Sequence, residues 1–312
     1  MNFIAIIESA NEGVPKGFEV FAMGGFQHKK LFIGSTAVGL VPSFAVEALL
    51  ESKLFSFFQD ASSTQSLVMV DGGQKDMPND RRTKLIADLL LRWKQEDRFE
   101  CLRGWRDELY GVYDENGDLL VSIERSAVGL FGVRAFGCHL NGFTRVPDLR
   151  LWVSRRSFKK QTYPGLRDNM VGGGLPVGLS PKANIIKECG EEAGIPVEIA
   201  SNASLVGTVA FWHFSKTRGL LPDTEFIYDL ELPCDFKPKA MDGEVEEFTL
   251  MTLDQVAAST RNNEFTPEAA LVNIDFLIRF GLLTPENEPD YLAISQGLRR
   301  SLPFHGLRRF EL

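Results

Sequence analysis

The segment 172–195 constrains the chain most, because it reads as a glycine-rich stretch, a helix with defined ends and a stop. Ser180 is a suitable N-cap, and Pro181 suits the first helical position, where no backbone N–H donor is needed. Gly194 fits the left-handed position just past a helix end. We therefore predict a glycine loop and then a helix that starts at Pro181 and stops before Gly194.

The last turns of this predicted helix carry three carboxylates on one side, at Glu188, Glu191 and Glu192. Residues three and four apart are neighbours on a helix, so these like charges repel, and the helix dipole also disfavours anions there. These three carboxylates do not help the helix to fold, but their oxygens are the ligands that a hard divalent cation prefers. A solvated acidic face is the alternative. The pattern favours a site for Mg²⁺ or Mn²⁺ with these three residues as ligands.

Composition excludes several classes of function. The chain has 312 residues, which is enough for two domains, and 44% of them are hydrophobic, which supports a real core. A net charge of −8 argues against nucleic acid as a partner, and no apolar run approaches the roughly 20 residues of a membrane helix. The four cysteines form no CxxC pair, and the start of the chain does not resemble a signal peptide. We expect a cytoplasmic protein with reduced thiols.

The order of helical and strand-like patterns divides the chain into three regions. Residues 1–131 read as a smaller, independent α+β module that includes a hairpin turning at 114–118. Residues 132–283 alternate strands with the acidic helix and a late helix that opens at Thr266. Strands are predicted at 133–143, 150–154, 205–212, 224–232 and 246–251, with 215–222 as a connection. Residues 284–312 form a C-terminal extension, and the sequence does not indicate its role.

Basic residues cluster just after the second of these strands, with four cations between Arg155 and Lys160 in a protein that is acidic overall. Guanidinium and ammonium groups match phosphate oxygens, so we predict that Arg155, Arg156 and Lys160 bind phosphate. An ordinary solvated hairpin end is the alternative.

Aromatic residues and a histidine lie close to this basic cluster in the sequence. Trp152 and Tyr163 are suited to stack on a flat heterocycle, and His139 is suited to contact substrate. Core packing is the alternative for the aromatic residues, and a structural role is the alternative for His139.

The glycine-rich stretch and acidic helix resemble the Nudix box, in which a glycine precedes a long gap and then Arg-Glu-hydrophobic-x-Glu-Glu-x-Gly-hydrophobic. The positions that fall on this pattern are Gly173, Glu188, Cys189, Glu191, Glu192, Gly194 and Ile195. Two positions depart from it, since Leu179 stands where the family usually has Glu, and Lys187 where it has Arg. In the family those two residues generally pair and brace the loop. The resemblance implies an α/β/α sandwich with a mixed sheet.

A narrower resemblance is to the Nudix branch labelled thiamine pyrophosphokinase-related, which carries an N-terminal module. It rests on the segments 104–110, 122–125, 131–142, 151–157, 160–165, 228–233 and 242–245. Members of this branch are associated with cleaving thiamine diphosphate, or its oxidised and damaged analogues, to the monophosphate. The family also often uses a further carboxylate from a downstream loop, for which Glu244 and Glu247 are the candidates.

The resemblance predicts a metal-dependent hydrolase of a small-molecule diphosphate, with thiamine diphosphate or an oxidised analogue as substrate. The general base is Glu191, Glu244 or Glu247. Hydrolysis of another nucleoside or sugar diphosphate is the first alternative. The second is a catalytically weak diphosphate-binding protein, because Leu179 and Lys187 depart from the family pattern. Nudix proteins often form homodimers, and the sequence leaves the oligomeric state open.

Overall fold

The computed structural model describes residues 2–11, 22–23, 26–62, 64–70, 77–302 and 304–307. Parts of the predicted N-terminal module and the end of the predicted extension therefore lie outside the described residues. The helices are α1 (Phe3–Ala10), α2 (Ser43–Glu51), α3 (Asn79–Gln95), α4 (Val128–Phe131), α5 (Pro181–Ala193), α6 (Val197–Ala200), α7 (Leu253–Arg261), α8 (Pro267–Arg279) and α9 (Tyr291–Gly297).

The strands run in two sheets and a hairpin. They are β1 (Ala22–Met23), β2 (Phe26–Ile33), β3 (Thr36–Pro42), β4 (Phe55–Gln59), β5 (Gln65–Met69), β6 (Leu109–Tyr113), β7 (Leu119–Glu124), β8 (Ala135–Thr144), β9 (Arg150–Arg156), β10 (Arg167–Asp168), β11 (Val171–Gly174), β12 (Ser204–Ser215), β13 (Gly219–Glu231) and β14 (Val245–Thr252).

The larger sheet has seven strands and helices on both faces. Its order is β10-β9-β8-β13-β12, with β11 also paired to β8 and β14 to β9. Strand β13 runs parallel to β8, whereas β9 and β11 run antiparallel to it, so the sheet is mixed. The predicted α/β/α sandwich with a mixed sheet, preceded by a smaller α+β region, is confirmed.

Side chains of β8 and β13 alternate between the two helical layers, as the period of a strand requires. Cys138 and Leu140 pack in one core with Ile185 of α5. Phe143 and Ile227 pack in the opposite core with α7 and α8. The acidic helix and helix α8 therefore cover opposite faces of the sheet.

The first region contains the five-stranded sheet β1–β5 and the two-stranded hairpin β6–β7. Its core is built around buried residues such as Trp93 of α3, and it continues into the second region through Val133 and Ala135. Gly132 lies at the junction of the two regions and has a left-handed φ of 58°. Its carbonyl accepts a hydrogen bond from the Leu40 N–H of the first region at 3.1 Å. The two regions thus share a packed junction.

Helix α1 belongs to the opening residues of the chain but packs in the core of the second region. Phe3, Ile6 and Ile7 are buried there together with Ile294 of α9. The C-terminal residues 291–297 therefore have a structural place that the sequence did not indicate. The predicted domain limits themselves stay predictions.

Two sequence predictions about connections are wrong. The glycines after Val171 are not in a loop but form strand β11, because their N–H and C=O groups pair with β8. The predicted connection 215–222 is mostly strand, since β12 and β13 pair up to Ser215 and Gly219 and leave only 216–218 outside. No helix in the described part of the chain is long and apolar enough to cross a lipid bilayer.

Candidate active site

The glycines of strand β11 let side chains from three directions approach its backbone. A Cβ on Gly172 would lie 3.1 Å from the His139 ring, and one on Gly173 would lie 2.6 Å from the Glu188 carboxyl carbon. A Cβ on Gly174 would lie 1.6 Å from the hydroxyl of Tyr110, which belongs to the first region. Each glycine therefore leaves room for one neighbouring side chain of the site.

Helix α5 has the ends that the sequence predicts. The Ser180 side chain accepts a hydrogen bond from the Ala183 N–H, Pro181 is the first residue, and Gly194 has a φ of 64°. Of the three predicted metal ligands, the structure directs Glu188 and Glu192 toward the glycine strand. Glu191 lies at the surface, where its carboxylate pairs with Lys187.

The ion pair between Glu and Arg that usually braces the loop in the family cannot form here, because Leu179 and Lys187 occupy the two positions. Leu179 packs against the core under α5. Lys187 pairs instead with its own helix neighbours, Glu188 at 3.3 Å and Glu191 at 2.5 Å. The loop before α5 is therefore fixed by apolar packing and by the Ser180 cap.

Glu192 is the most deeply buried of the three box carboxylates, with 8% of its surface exposed. Burial raises the pKa of Glu192 well above its ordinary value, while the Gly172 N–H, which donates to Oε2 at 3.0 Å, opposes that rise. A single N–H donor does not offset the cost of burying the negative charge of Glu192, so a nearby cation would stabilise that charge.

Glu192 meets two carboxylates from the turn before β14. Oxygens of Glu192, Asp242 and Glu244 lie within 4.8 Å of one another, in the part of the chain that the structure describes. Lys160 pairs with Glu244 at the same place and contributes one positive charge. A set of carboxylate oxygens with this spacing fits Mg²⁺ or Mn²⁺. Asp242 is missing from the residues predicted by the sequence, although the acidic turn 242–247 is noticeable there.

Three predicted site residues lie away from this meeting point. Glu247 has a side chain that is 57% exposed, and it pairs with Arg155 at 2.9 Å across β14 and β9. Trp152 packs against the core under α5. Glu247 and Trp152 therefore lie outside the group formed by Glu192, Asp242 and Glu244.

The other predicted substrate-binding residues, Arg156, Tyr163 and His139, line a cavity of about 140 Å³ on the α8 side of the sheet. Arg156 donates to Asp168 at 2.8 Å and to the Thr162 carbonyl at 3.1 Å, so its guanidinium is held in place.

The orientation of His139 follows from a buried network. Its Nδ1 lies 2.7 Å from the Asn169 Oδ1, and the Asn169 amide N–H donates to Asn273 at 3.0 Å. Since the Asn169 oxygen can only accept, Nδ1 of His139 carries the proton. The other ring nitrogen, Nε2, lies 3.7 Å from the Glu225 carboxylate.

The cavity also holds carboxylates that sequence reasoning missed, namely Asp223, Glu225 and Glu268. Glu225 is 6% exposed, and its Oε2 has no hydrogen-bond partner. Burial raises the pKa of Glu225 well above its ordinary value, and Asp223 adds to the rise. The available signal was two acidic residues in the first half of the apolar strand β13, where a core strand should carry none.

Asp223→Asn is expected to change how stability depends on pH. Burial raises the pKa of Asp223 from 3.8 to about 6, with Glu268 adding to the rise. Between those values the folded protein keeps a proton that the unfolded chain has lost, so this group makes stability fall as pH rises. The variant should therefore gain stability relative to the wild type from pH 4 to about 6. Urea unfolding across this range measures it, with exposed Asp235→Asn as the control, and parallel pH curves for Asp223→Asn and the wild type would contradict it.

Comparisons with known proteins divide the chain at the same junction as the fold. Residues 15–135 match a domain of unknown function, DUF4743, and residues 134–270 match the NUDIX domain.

Relatives extend over both regions. The chain is 35% identical to the uncharacterized protein YJR142W of Saccharomyces cerevisiae, over 86% of this chain and 82% of the relative. It is 39% identical to Nudix hydrolase 20, chloroplastic, of Arabidopsis thaliana, over 84% of this chain and 70% of the relative. Among solved structures, DR0079 from Deinococcus radiodurans is similar over 54% of this chain and 96% of its own, with 19% identity and a TM-score of 0.40.

Proposed function

Because this chain belongs to the Nudix family and is a Nudix pyrophosphohydrolase, we propose that it cleaves thiamine diphosphate, or an oxidised analogue of it, to the monophosphate. The observation that carries the site assignment is the meeting of buried Glu192 with Asp242 and Glu244. These carboxylates lie near the glycine strand and the cavity that Arg156 lines.

Nudix hydrolases generally use divalent metals, and the donor set fits one. Glu192, Asp242 and Glu244 would hold Mg²⁺ or Mn²⁺, with Glu188 directed toward the same glycine strand. A bound ion of this kind neutralises phosphate charge and makes a water easier to deprotonate. Of the predicted bases Glu191, Glu244 and Glu247, only Glu244 belongs to this group, and there it would hold the ion, so the identity of the base stays a prediction.

The cavity supports a nitrogen heterocycle as the other half of the substrate. Asp223, Glu225 and Glu268 line it opposite the cations Arg125, Arg156 and Arg218, and these carboxylates suit a ring with a positive charge or N–H donors. We call it the acidic cavity. Tyr163 at its edge offers an aromatic face. The thiamine nucleus has a positively charged ring and an amino group, which are properties of this kind.

A metal-dependent hydrolysis panel tests the substrate. We expect phosphate release from thiamine diphosphate or an oxidised analogue with kcat/KM at least about tenfold above that for nucleoside and sugar diphosphates. The reaction should stop when the metal is chelated. A clear preference for a nucleoside or sugar diphosphate would instead support the alternative substrate class.

Arg156→Ala tests the proposed phosphate role of this residue. Loss of a charge-assisted contact should raise KM by roughly tenfold or more, with a smaller change in kcat. Arg156→Lys, which keeps the charge near Asp168, should recover part of the effect. An unchanged KM in Arg156→Ala would remove this residue from the binding site.

A catalytically weak binding protein is the second candidate. It is favoured by the loss of the usual Glu–Arg brace, since Leu179 is in the core and Lys187 pairs within its own helix. Calorimetry that finds tight binding of the diphosphate without turnover would support it.

We also propose that the protein acts in the cytoplasm, because its four cysteines are all free thiols. Localisation of the full chain by fractionation tests this proposal, and recovery in an organelle would overturn it.

A further inference from the structure

We propose that the N-terminal region completes the diphosphate-binding site, with Arg106 from that region acting together with Arg218 of the β12–β13 turn. The inference rests on the proposed function only for the identity of the anion. It gives the domain of unknown function a direct part in substrate binding.

The first observation is a cavity of about 340 Å³ between the two regions. Four arginines line it, Arg103, Arg106 and Arg125 from the first region and Arg218 from the second, whereas Glu100 is the carboxylate among its lining residues. A pocket of this size is in the range of small-ligand sites, and its charge selects an anion.

The second observation concerns Arg218. Arg218 lines both this basic cavity and the acidic cavity beside it, and its guanidinium has no ion-pair or hydrogen-bond partner among the described residues. The first region fixes the backbone of this turn, because a Cβ on Gly129 would lie 2.1 Å from the Arg218 carbonyl oxygen. A partly buried guanidinium without a partner is ready to bind an anion.

The third observation is the position of Arg106 beside the metal carboxylates. Its Nη1 lies 3.9 Å from an oxygen of Glu244, and its backbone N–H donates to the Glu124 carboxylate at 2.9 Å. Arg106 also lines the small groove that contains Asp242 and Glu244. The basic cavity therefore lies between the carboxylates that would hold metal and the acidic cavity.

Arg125 strengthens the same surface from the first region. Its guanidinium would lie 3.0 Å from a Cβ on Gly174, and it pairs with Glu108 at 2.8 Å. The ion pair with Glu108 holds the Arg125 side chain in place at the edge of the basic cavity. A diphosphate in the basic cavity would meet guanidinium groups of both regions and could bind in bidentate fashion.

Binding of inorganic pyrophosphate tests the inference without hydrolysis. Calorimetry on the metal-free full chain, with chelator present, should show that Arg106→Ala and Arg218→Ala each raise Kd by roughly tenfold or more. Arg92→Ala is the matched control, since it removes the same charge from exposed α3 of the same region. It should leave Kd within about twofold, because exposed charges act weakly across solvent and salt.

Three results would overturn the inference: no binding of pyrophosphate by the wild type, unchanged Kd in both cavity variants, or an equal loss in Arg92→Ala. If Arg218→Ala does not fold, Arg218→Gln tests the same charge with a longer side chain. Weaker pyrophosphate binding in the two cavity variants, together with a wild-type protein that cleaves a different diphosphate, would support the inference and refute the thiamine substrate. Normal hydrolysis of thiamine diphosphate by both cavity variants would refute the inference and keep the substrate.

Discussion

Glu192→Gln is expected to lower metal-dependent phosphate release on the order of a hundredfold or more, with the fold intact. Glutamine keeps an oxygen that can accept from the Gly172 N–H, but it removes the negative charge that faces Asp242 and Glu244. Because burial raises the pKa of Glu192, its charge is costly in the metal-free protein. The variant should therefore melt at the same temperature as the wild type or higher.

Two readouts separate a metal role from a structural one. Mg²⁺ should raise the melting temperature of the wild type but not of Glu192→Gln, since ligand binding stabilises only the competent fold. Exposed Glu198→Gln is the control, and Glu191→Gln should change turnover less than about tenfold because its carboxylate lies at the surface with Lys187. Near-normal turnover in Glu192→Gln would remove this residue from the site.

Gly132→Ala is expected to destabilise the protein by about 3 kcal/mol or more. Gly132 has a left-handed φ of 58°, and a Cβ there would lie 1.9 Å from the carbonyl oxygen of Leu40. That oxygen belongs to the backbone of β3, so relief requires the two regions to separate at their junction. Urea unfolding measures the loss.

Gly34→Ala is a matched control for this change. Gly34 has a similar φ of 60°, but a Cβ there would have no atom within 4 Å. This variant should lose only about 1–2 kcal/mol, which is the strain of a left-handed alanine. Equal losses in the two variants would mean that the contact with Leu40 adds nothing to stability.

Local chemistry explains which parts of the fold could be predicted from the sequence. Both ends of α5 were predictable because a cap, a proline and a glycine act within one turn. The glycines of β11 were not recognised as a strand, because the pairing that makes them one comes from β8, which is distant in sequence.

The site divides in the same way. Glu188 and Glu192 could be proposed from helical spacing, but the surface position of Glu191 depends on where α5 packs. Asp242, rather than Glu247, joins Glu192 because the turn at Gly243 bends the chain before β14 begins. Asp223 and Glu225 are visible in the sequence as two acids on one strand, but Glu268 of α8 joins them only in the folded protein, which no short sequence pattern could show.

The packing of α1 against α9 affects the order in which parts of the protein fold. Two segments that are far apart in the sequence rest against each other, since Phe3 and Ile7 share a core with Ile294 and Leu298. Contacts between distant parts of a chain are slow to form, because the intervening loop must close first. Helix α1 can therefore bury its apolar face completely only after residues 291–297 have been synthesised.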